Sequence, residues 1–196
     1  MNLLCHLLLV AAASDMPERS EVRISCVQGD ITKQSGIAVI VNAANEKCMG
    51  GGGIDGAIHH AAGSDLKKYI IKVIAVKNGV RCPTSHAVIT PSFNLSRVGI
   101  THIIHTVGPL GSSAHRAELL RNAYLNSLRI AHQNGLRTIA FPAISTGIYG
   151  YPFEEAKKIA IEAVQYYLRE YPDSFDEIRF VLFSQKDFDS YQAELC

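Results

Sequence analysis

A loop in the first third of this sequence concentrates residues that could bind an anion and act on it. It runs from Asn42 to Gly56 as NAANEKCMGGGGIDG, with four consecutive glycines and then Asp55. Glycines let the backbone approach a ligand closely, and a helix that begins at such a loop adds exposed N–H groups and the positive end of its dipole. The segment predicts a phosphate-binding turn, although a flexible surface loop would explain the glycines equally well on their own.

Two common phosphate-binding motifs are not what we expect at this loop. A P-loop needs a lysine directly after its glycines to reach a terminal phosphate, and Ile54 follows them here. A dinucleotide-dependent oxidoreductase is also disfavoured, because a shared α/β fold with glycine-rich turns does not imply a shared function.

A second loop of similar character reads FPAISTGIYGYP from Phe141 to Pro152 and again lies between an apolar run and a helical pattern. Ser145 and Thr146 offer hydroxyl groups, and Tyr149 offers an aromatic face with a polar tip. Two such loops at the ends of a sheet can hold one diphosphate between them. Taken alone, the loop is also compatible with an ordinary strand-to-helix turn.

A third segment, Gln28-Gly-Asp-Ile31, follows the first apolar run. The Asp30 carboxylate could accept a hydrogen bond from an exocyclic amine such as that of adenine. A single Gly-Asp pair is more often a simple turn, so this segment has weight only beside the other two.

Short β-branched runs alternate with longer stretches of helical periodicity, which predicts one α/β domain. The expected strands are Val22 to Val27, Ile37 to Val41, Ala87 to Thr90, Ile100 to Thr106, Thr138 to Phe141 and Ile178 to Phe183. The expected helices are Gly53 to Gly63, Leu66 to Val76, Arg116 to Gln133, Phe153 to Tyr171 and Asp187 to Leu195.

Composition restricts the classes of partner. The 19 basic residues nearly balance 18 acidic ones and form no basic run, so we expect neither nucleic-acid binding nor membrane docking. Five cysteines form no C-x-x-C pair, and their odd number favours reduced thiols and a cytoplasmic location. An apolar stretch in the first thirteen residues has no preceding Lys or Arg, so secretion is the less favoured alternative.

Four segments together resemble macrodomains of the MacroD type, in the order that the family has them: 27–32, 41–45, 50–63 and 141–152. The resemblance runs from about Val22 to the C-terminus and implies a three-layer α/β/α sandwich with a mixed six-stranded sheet. We therefore expect a macrodomain over residues 21–196, preceded by an extension of unknown role over residues 1–20. The resemblance implies no cofactor and no metal, and we expect a monomer.

The resemblance also implies where ADP-ribose would bind. The adenine amine would contact the Asp30 side chain with help from the Ile31 backbone, and Phe183 would pack on the ring. The two glycine-containing loops would hold the diphosphate and the distal ribose, with Tyr149 closing over that sugar. The implied ligand-binding residues are Asp30, Ile31, Asn42, Gly51, Gly52, Gly53, Ile54, His59, Ser145, Thr146, Gly147, Ile148, Tyr149 and Phe183.

The MacroD group removes ADP-ribose from acidic side chains and deacetylates O-acetyl-ADP-ribose, and its catalytic positions match Asn45 and Asp55. An amide such as Asn45 could hold a ribose hydroxyl or the attacking water, and Asp55 could orient or deprotonate that water. Activation by a substrate phosphate is the open alternative. A module that binds ADP-ribose or mono-ADP-ribosylated proteins without cleavage is the second candidate function.

Several polar residues near these motifs have simpler explanations. His59 follows Asp55 by one helical turn, so it could bond to it or be purely structural. His60 stands where many relatives have Arg, which leaves substrate preference open. Cys48 has no evident basic partner that would activate its thiol. His102 and His105 are three residues apart in an expected strand and should face opposite sides of the sheet, which excludes a shared zinc ion.

Overall fold

A computed structural model describes residues 22–195, so the predicted extension over residues 1–20 lies outside the described part of the chain. All six predicted strands are present in one sheet: β1 (Arg23–Gln28), β2 (Val39–Ala43), β3 (Ala87–Pro91), β4 (His102–Thr106), β5 (Thr138–Phe141) and β6 (Glu177–Leu182). Their order in the sheet is β1-β6-β5-β2-β4-β3, and only the β3–β4 pairing is antiparallel. The mixed six-stranded sheet is therefore confirmed.

The five predicted helices are also present. They are α1 (Gly53–Ala62), α2 (Ser64–Val73), α3 (Arg116–Gln133), α4 (Phe153–Glu170) and α5 (Gln185–Leu195), with short 3-10 helices at Ile31–Lys33 and Phe93–Val98. None of the helices in residues 22–195 combines the length and apolarity needed to cross a membrane.

The main difference in helix boundaries concerns α2, which was expected at Leu66 to Val76. It begins earlier, at Ser64, and ends at Val73, where Ile74 turns to an extended backbone conformation. The chain then enters a tight turn at Asn78 and Gly79, both with positive φ angles of 53° and 80°. The Asn-Gly pair is typical of such turns.

Apolar side chains alternate along the central strand β2 and divide the core into two layers. Val39 and Val41 pack with residues of α3 and α4, including Leu120 and Val164. Ile40 packs on the other face with residues of α1 and α2. This alternation follows from the period of two in a strand and produces the predicted three layers.

The parallel strands β1, β6, β5 and β2 end at the same edge of the sheet. The segments that follow these strands begin at residues 29, 44, 142 and 183, so all three predicted ligand-binding segments and Phe183 meet at that edge. Ligands of α/β sheets commonly bind outside the carboxyl ends of parallel strands.

Candidate active site

A cleft of about 730 Å³ lies at the carboxyl edge of the sheet. Its walls contain both predicted catalytic residues, Asn45 and Asp55, and all the predicted ligand-binding residues except Asn42 and His59. The structure thus brings together segments from residue 29 to residue 187.

The glycine loop reaches this cleft through very close packing. A Cβ atom on Gly51 would lie 3.1 Å from Asp55 Oδ2 and 3.2 Å from Asn45 Nδ2. Any side chain at residue 51 would therefore press on both predicted catalytic groups.

The residues from Gly51 to Gly56 match the pattern G-x-G-x-x-G of dinucleotide-binding proteins. In those proteins the pattern follows its strand directly, whereas residues 44–50 separate it from β2 here.

Asp55 is held from behind by a chain of buried polar groups. Asn42 Nδ2 donates to Asp55 Oδ1 at 2.7 Å and lies 3.0 Å from His105 Nδ1. The second ring nitrogen, His105 Nε2, is 3.0 Å from Thr90 Oγ1. Burial, with a smaller contribution from His59, lowers the pKa of His105 to about 3, so its ring is neutral. Nδ1 can then accept from Asn42 while Nε2 donates to Thr90.

This chain of contacts places Asn42 behind Asp55 rather than on the cleft wall. Asn42 is fully buried, so in this structure it supports the carboxylate. The spacing of His102 and His105 argues against a zinc site and gives no sign of the contacts that His105 makes, and Thr90 is only the last residue of an expected strand. His105 on β4 contacts Asn42 on β2 and Thr90 on β3, and no local spacing in the sequence reveals such contacts across strands.

The Asp55 carboxylate lies in an environment that weakens its acidity. Burial raises its pKa above the ordinary value, while the hydrogen bond from Asn42 and the nearby His59 act in the opposite direction. Only 4% of the residue is exposed. A carboxylate with a raised pKa at a cleft wall is a typical candidate for a general base.

Asn45 lies on the open side of Asp55. Its Nδ2 is 3.4 Å from Asp55 Oδ2 and 3.3 Å from the Gly50 carbonyl, and its Oδ1 accepts from the Lys47 N–H at 3.1 Å. These contacts orient the amide beside the carboxylate. A hydrogen-bond donor, the Asn45 amide, thus lies next to a carboxylate that can accept a proton, in the wall of the cleft.

His59 lies near the carboxylate without a well-formed hydrogen bond to it. Its Nε2 is 3.4 Å from Asp55 Oδ1, yet this nitrogen is buried and has no hydrogen-bond partner among residues 22–195. Burial lowers the pKa of His59, although Asp55 acts in the opposite direction. We therefore treat the ring as neutral and the contact as packing rather than an ion pair. The direct ligand contact predicted for His59 stays untested.

The second loop presents a hydroxyl group from a strained position. Ser145 has a φ of 70°, a left-handed conformation that residues other than glycine rarely adopt. Its Oγ is buried and without a hydrogen-bond partner in the described part of the chain. Thr146 Oγ1 already donates to the Ala143 carbonyl at 3.0 Å. Of these two hydroxyl groups, that of Ser145 is therefore the one without a hydrogen-bond partner in residues 22–195.

The opposite end of the cleft has an apolar surface and a carboxylate. Phe183 is 89% exposed, and the Ile31 side chain is buried beneath the same region. Asp30 Oδ1 accepts from both the N–H and the hydroxyl of Thr32, at 2.9 and 2.7 Å. Partial burial raises the pKa of Asp30, but these bonds and Lys33 outweigh it and leave the pKa below its usual value. Asp30 is therefore ionised and can accept a further hydrogen bond through Oδ2.

No group of three or more His, Cys, Asp or Glu side chains in residues 22–195 is arranged to hold a metal ion. His102 Nδ1 is 2.9 Å from Thr101 Oγ1. His105, in contrast, is buried, and its ring contacts Thr90. Cys48 is buried beneath the glycine loop, where Cys82 contacts it.

Comparison with known proteins places this cleft in a family. The family model described as "Macro domain" matches residues 41–160. The chain belongs to the macrodomain family. The O-acetyl-ADP-ribose deacetylase of Cronobacter turicensis is 48% identical over 175 residues, which are 88% of this chain and 96% of that protein. The corresponding Escherichia coli K12 enzyme is 44% identical over 177 residues, covering 89% and 96%.

Solved macrodomain structures agree in fold with this macrodomain. The Oceanobacillus iheyensis macrodomain with ADP has a TM-score of 0.79 and 44% identity, over 87% of this chain and 88% of that one. The Trypanosoma brucei macrodomain in complex with ADP-ribose has a TM-score of 0.76 and 33% identity, over 88% and 69%. The family predicted from the four sequence segments is thereby confirmed.

Proposed function

We propose that this macrodomain binds ADP-ribose in the cleft and hydrolyses esters on its distal ribose. The substrates would be glutamate or aspartate side chains that carry mono-ADP-ribose, and O-acetyl-ADP-ribose. The relatives named as O-acetyl-ADP-ribose deacetylases support this function, as do solved macrodomains with ADP and ADP-ribose. The buried Asp55 carboxylate beside the Asn45 amide is the observation that favours hydrolysis over binding alone.

The chemistry along the cleft suggests one orientation of the ligand. Asp30 and the exposed Phe183 suit adenine, because the carboxylate can accept from its amine and the ring can stack on it. The backbone of Gly51 to Ile54, at the start of α1, and the Ser145 hydroxyl suit the diphosphate. The distal ribose then lies at Asn45 and Asp55.

In this orientation, Asp55 would accept a proton from a water molecule as the water oxygen attacks the ester carbon. The bond between that carbon and the ribose oxygen breaks, and the same proton can pass to the departing oxygen, so that a carboxylic acid and a hydroxyl group result. Asn45 would hold the water or a ribose hydroxyl. The alternative is that a phosphate of the substrate removes the proton and Asp55 only orients the water.

The first test measures release of ADP-ribose from a peptide with an ADP-ribosylated glutamate, and of acetate from O-acetyl-ADP-ribose. We expect the Asn45→Ala and Asp55→Ala variants to lose about 10²-fold or more of the rate, the typical contribution of a positioned acid or base. Their affinity for ADP-ribose, measured by calorimetry, should change far less. Tight binding without release by the parent protein would make it a reader module instead.

Substrates with other linkages provide a control. Serine- or arginine-linked ADP-ribose has no ester carbon for the water to attack, so we expect it to resist hydrolysis. The cytoplasmic location, the monomeric state and the lack of nucleic-acid binding stay predictions.

A further inference from the structure

A second cleft, of about 740 Å³, adjoins the catalytic end of the first. The two clefts share Asn45, Gly108 and Tyr149. In the proposed function the distal ribose lies at this junction. Whatever is esterified to that ribose must therefore leave the first cleft here, and the second cleft is the space next to it. We call it the acceptor groove and define it by Glu46, Lys47, Val80, Thr84, Leu110 and Ser113.

One wall of the acceptor groove is built by two loops that are tied together. The Glu46 carbonyl accepts from the N–H groups of Arg81 and Cys82, at 2.8 and 3.1 Å. The Glu46 carboxylate accepts from the N–H and hydroxyl of Thr84, at 3.1 and 2.9 Å. Residues 77–80 close a tight turn through two backbone bonds of 2.9 and 3.1 Å. These bonds preform the wall, so a ligand would not have to order it.

The opposite wall is attached to the cleft itself. The Gly111 N–H donates to the Tyr149 carbonyl at 2.7 Å, and Arg116 Nη1 donates to the Gly111 carbonyl at 2.6 Å. Leu110 is 51% exposed on this wall. The groove therefore offers one apolar contact close to the distal-ribose end.

The charges at the groove favour an acidic occupant. Within residues 22–195 no carboxylate forms an ion pair with Lys47 or Arg81, and Lys47 is exposed on the groove wall. Arg81 Nη1 donates to the Lys47 carbonyl at 3.3 Å. The single carboxylate at this point, Glu46, already accepts two bonds from Thr84. Lys47 is thus the cation on the groove wall, and the carboxylate beside it, Glu46, has neutral hydrogen-bond partners. Arg81 does not line the groove.

We propose that the acceptor groove binds the polypeptide that carries the ADP-ribosylated carboxyl group, and that Lys47 contacts an acidic side chain next to the modified residue. This inference rests on the proposed function, because it places the ester at Asn45 and Asp55. It adds that the enzyme selects its protein substrates by flanking sequence, which O-acetyl-ADP-ribose lacks.

The test uses three substrates: O-acetyl-ADP-ribose and two peptides with one ADP-ribosylated glutamate, flanked by Glu in one and by Lys in the other. The full chain is compared with the Lys47→Glu and Lys47→Met variants. A matched control is Lys158→Glu, which reverses a charge on the exposed surface of α4. Circular dichroism and thermal unfolding establish that each variant is folded.

We expect Lys47→Glu to lower kcat/KM for the Glu-flanked peptide about fivefold to tenfold through KM, the size typical of one exposed charge contact and its reversal. Lys47→Met should have a smaller effect, and the Lys-flanked peptide should improve with Lys47→Glu. Turnover of O-acetyl-ADP-ribose should not change in either variant, because both keep the backbone N–H of residue 47 that bonds the Asn45 side chain. The differences should shrink at high salt because the contact is exposed.

Equal effects of Lys47→Glu on both peptides, or no effect, would overturn the proposed role of the acceptor groove in substrate binding. Such a result would leave the proposed hydrolase function intact. Equal effects of Lys47→Glu and Lys158→Glu would also overturn it, because they would show only the influence of net charge. Failure of the parent protein to release product from any of the three substrates would overturn the hydrolase function, and the groove with it.

Discussion

The hydrogen bond from Asn42 to Asp55 allows a quantitative test of the proposed base. Both residues are buried, and Nδ2 and Oδ1 are 2.7 Å apart. A hydrogen bond to an ionised group contributes about 1.5–3 kcal/mol. Asn42→Leu keeps the number and branching of the side-chain heavy atoms but removes this bond, so the ionised form of Asp55 loses that stabilisation. The pKa of Asp55 should then rise further above its ordinary value.

The assay is the pH dependence of kcat for O-acetyl-ADP-ribose, with the uncatalysed rate subtracted. We expect the acid limb of the Asn42→Leu profile to move to higher pH. On that limb the rate should fall by about 10- to 100-fold, because the loss of that hydrogen-bond free energy lowers the ionised fraction of Asp55 by this factor. The rate on the high-pH plateau should stay within a few-fold of the parent.

Stability gives a second measurement with a definite sign. Burial raises the pKa of Asp55 above its unfolded value, so its contribution to stability is greatest in acid and is lost as pH rises through the folded-state pKa. Removing the Asn42 donor increases that loss. Asn42→Leu should therefore cost more stability at neutral pH than in acid, in addition to about 1–3 kcal/mol for the unpaired His105 nitrogen.

Thr90→Val is the matched control, because it removes the contact at the far side of His105 and leaves the bond to Asp55 in place. It should lower the melting temperature without moving the acid limb. A uniform fall of kcat at all pH values in Asn42→Leu, with the limb unmoved, would refute Asp55 as the titrating base. That result would favour water activation by a substrate phosphate.

Three further predictions concern other parts of the molecule. Phe183→Ala should weaken ADP-ribose binding in calorimetry by about tenfold, since stacking of one base contributes about 1–3 kcal/mol, whereas Phe183→Tyr should retain it. Gly108→Ala should lower both the melting temperature and the affinity for ADP-ribose, because its Cβ would lie 2.1 Å from Ser145 Oγ. Burial raises the pKa of Glu177, but the bonds from Arg179, Arg23 and Ser25 outweigh it and hold the pKa below its ordinary value. The stability that these bonds provide should therefore be lost in acid denaturation, as pH falls through the folded-state pKa, and Glu177→Gln should show a smaller pH dependence there.

The sequence predicted the elements and most cleft-lining residues because those features are local. A β-branched run or a glycine loop is visible within about ten residues, and parallel strands bring the loops that follow them to one edge. The support of Asp55 could not be predicted in this way. It depends on contacts of His105 with Asn42 on β2 and Thr90 on β3, and only the strand order sets these neighbours.

The second cleft was missed for a related reason. Its walls bring Glu46 next to residues 81–84, which are far from it in the sequence, and they include the Asn78-Gly79 turn. The strained Ser145 was also not predicted, because Ser has no sequence preference for positive φ. These features follow from tertiary packing rather than from local propensity.

The pairing of the first strand with the last has a consequence for biosynthesis. Within residues 22–195, β1 lies at the edge of the sheet and pairs with β6, in a register that joins Arg23 to Glu177. The segment with Asp30 follows β1, so one end of the cleft cannot form until the ribosome has completed β6. Closing so long a loop is slow compared with local folding. We expect a nascent chain that lacks β6 to be unable to bind ADP-ribose, so binding competence would be acquired only after nearly the whole chain has been synthesised.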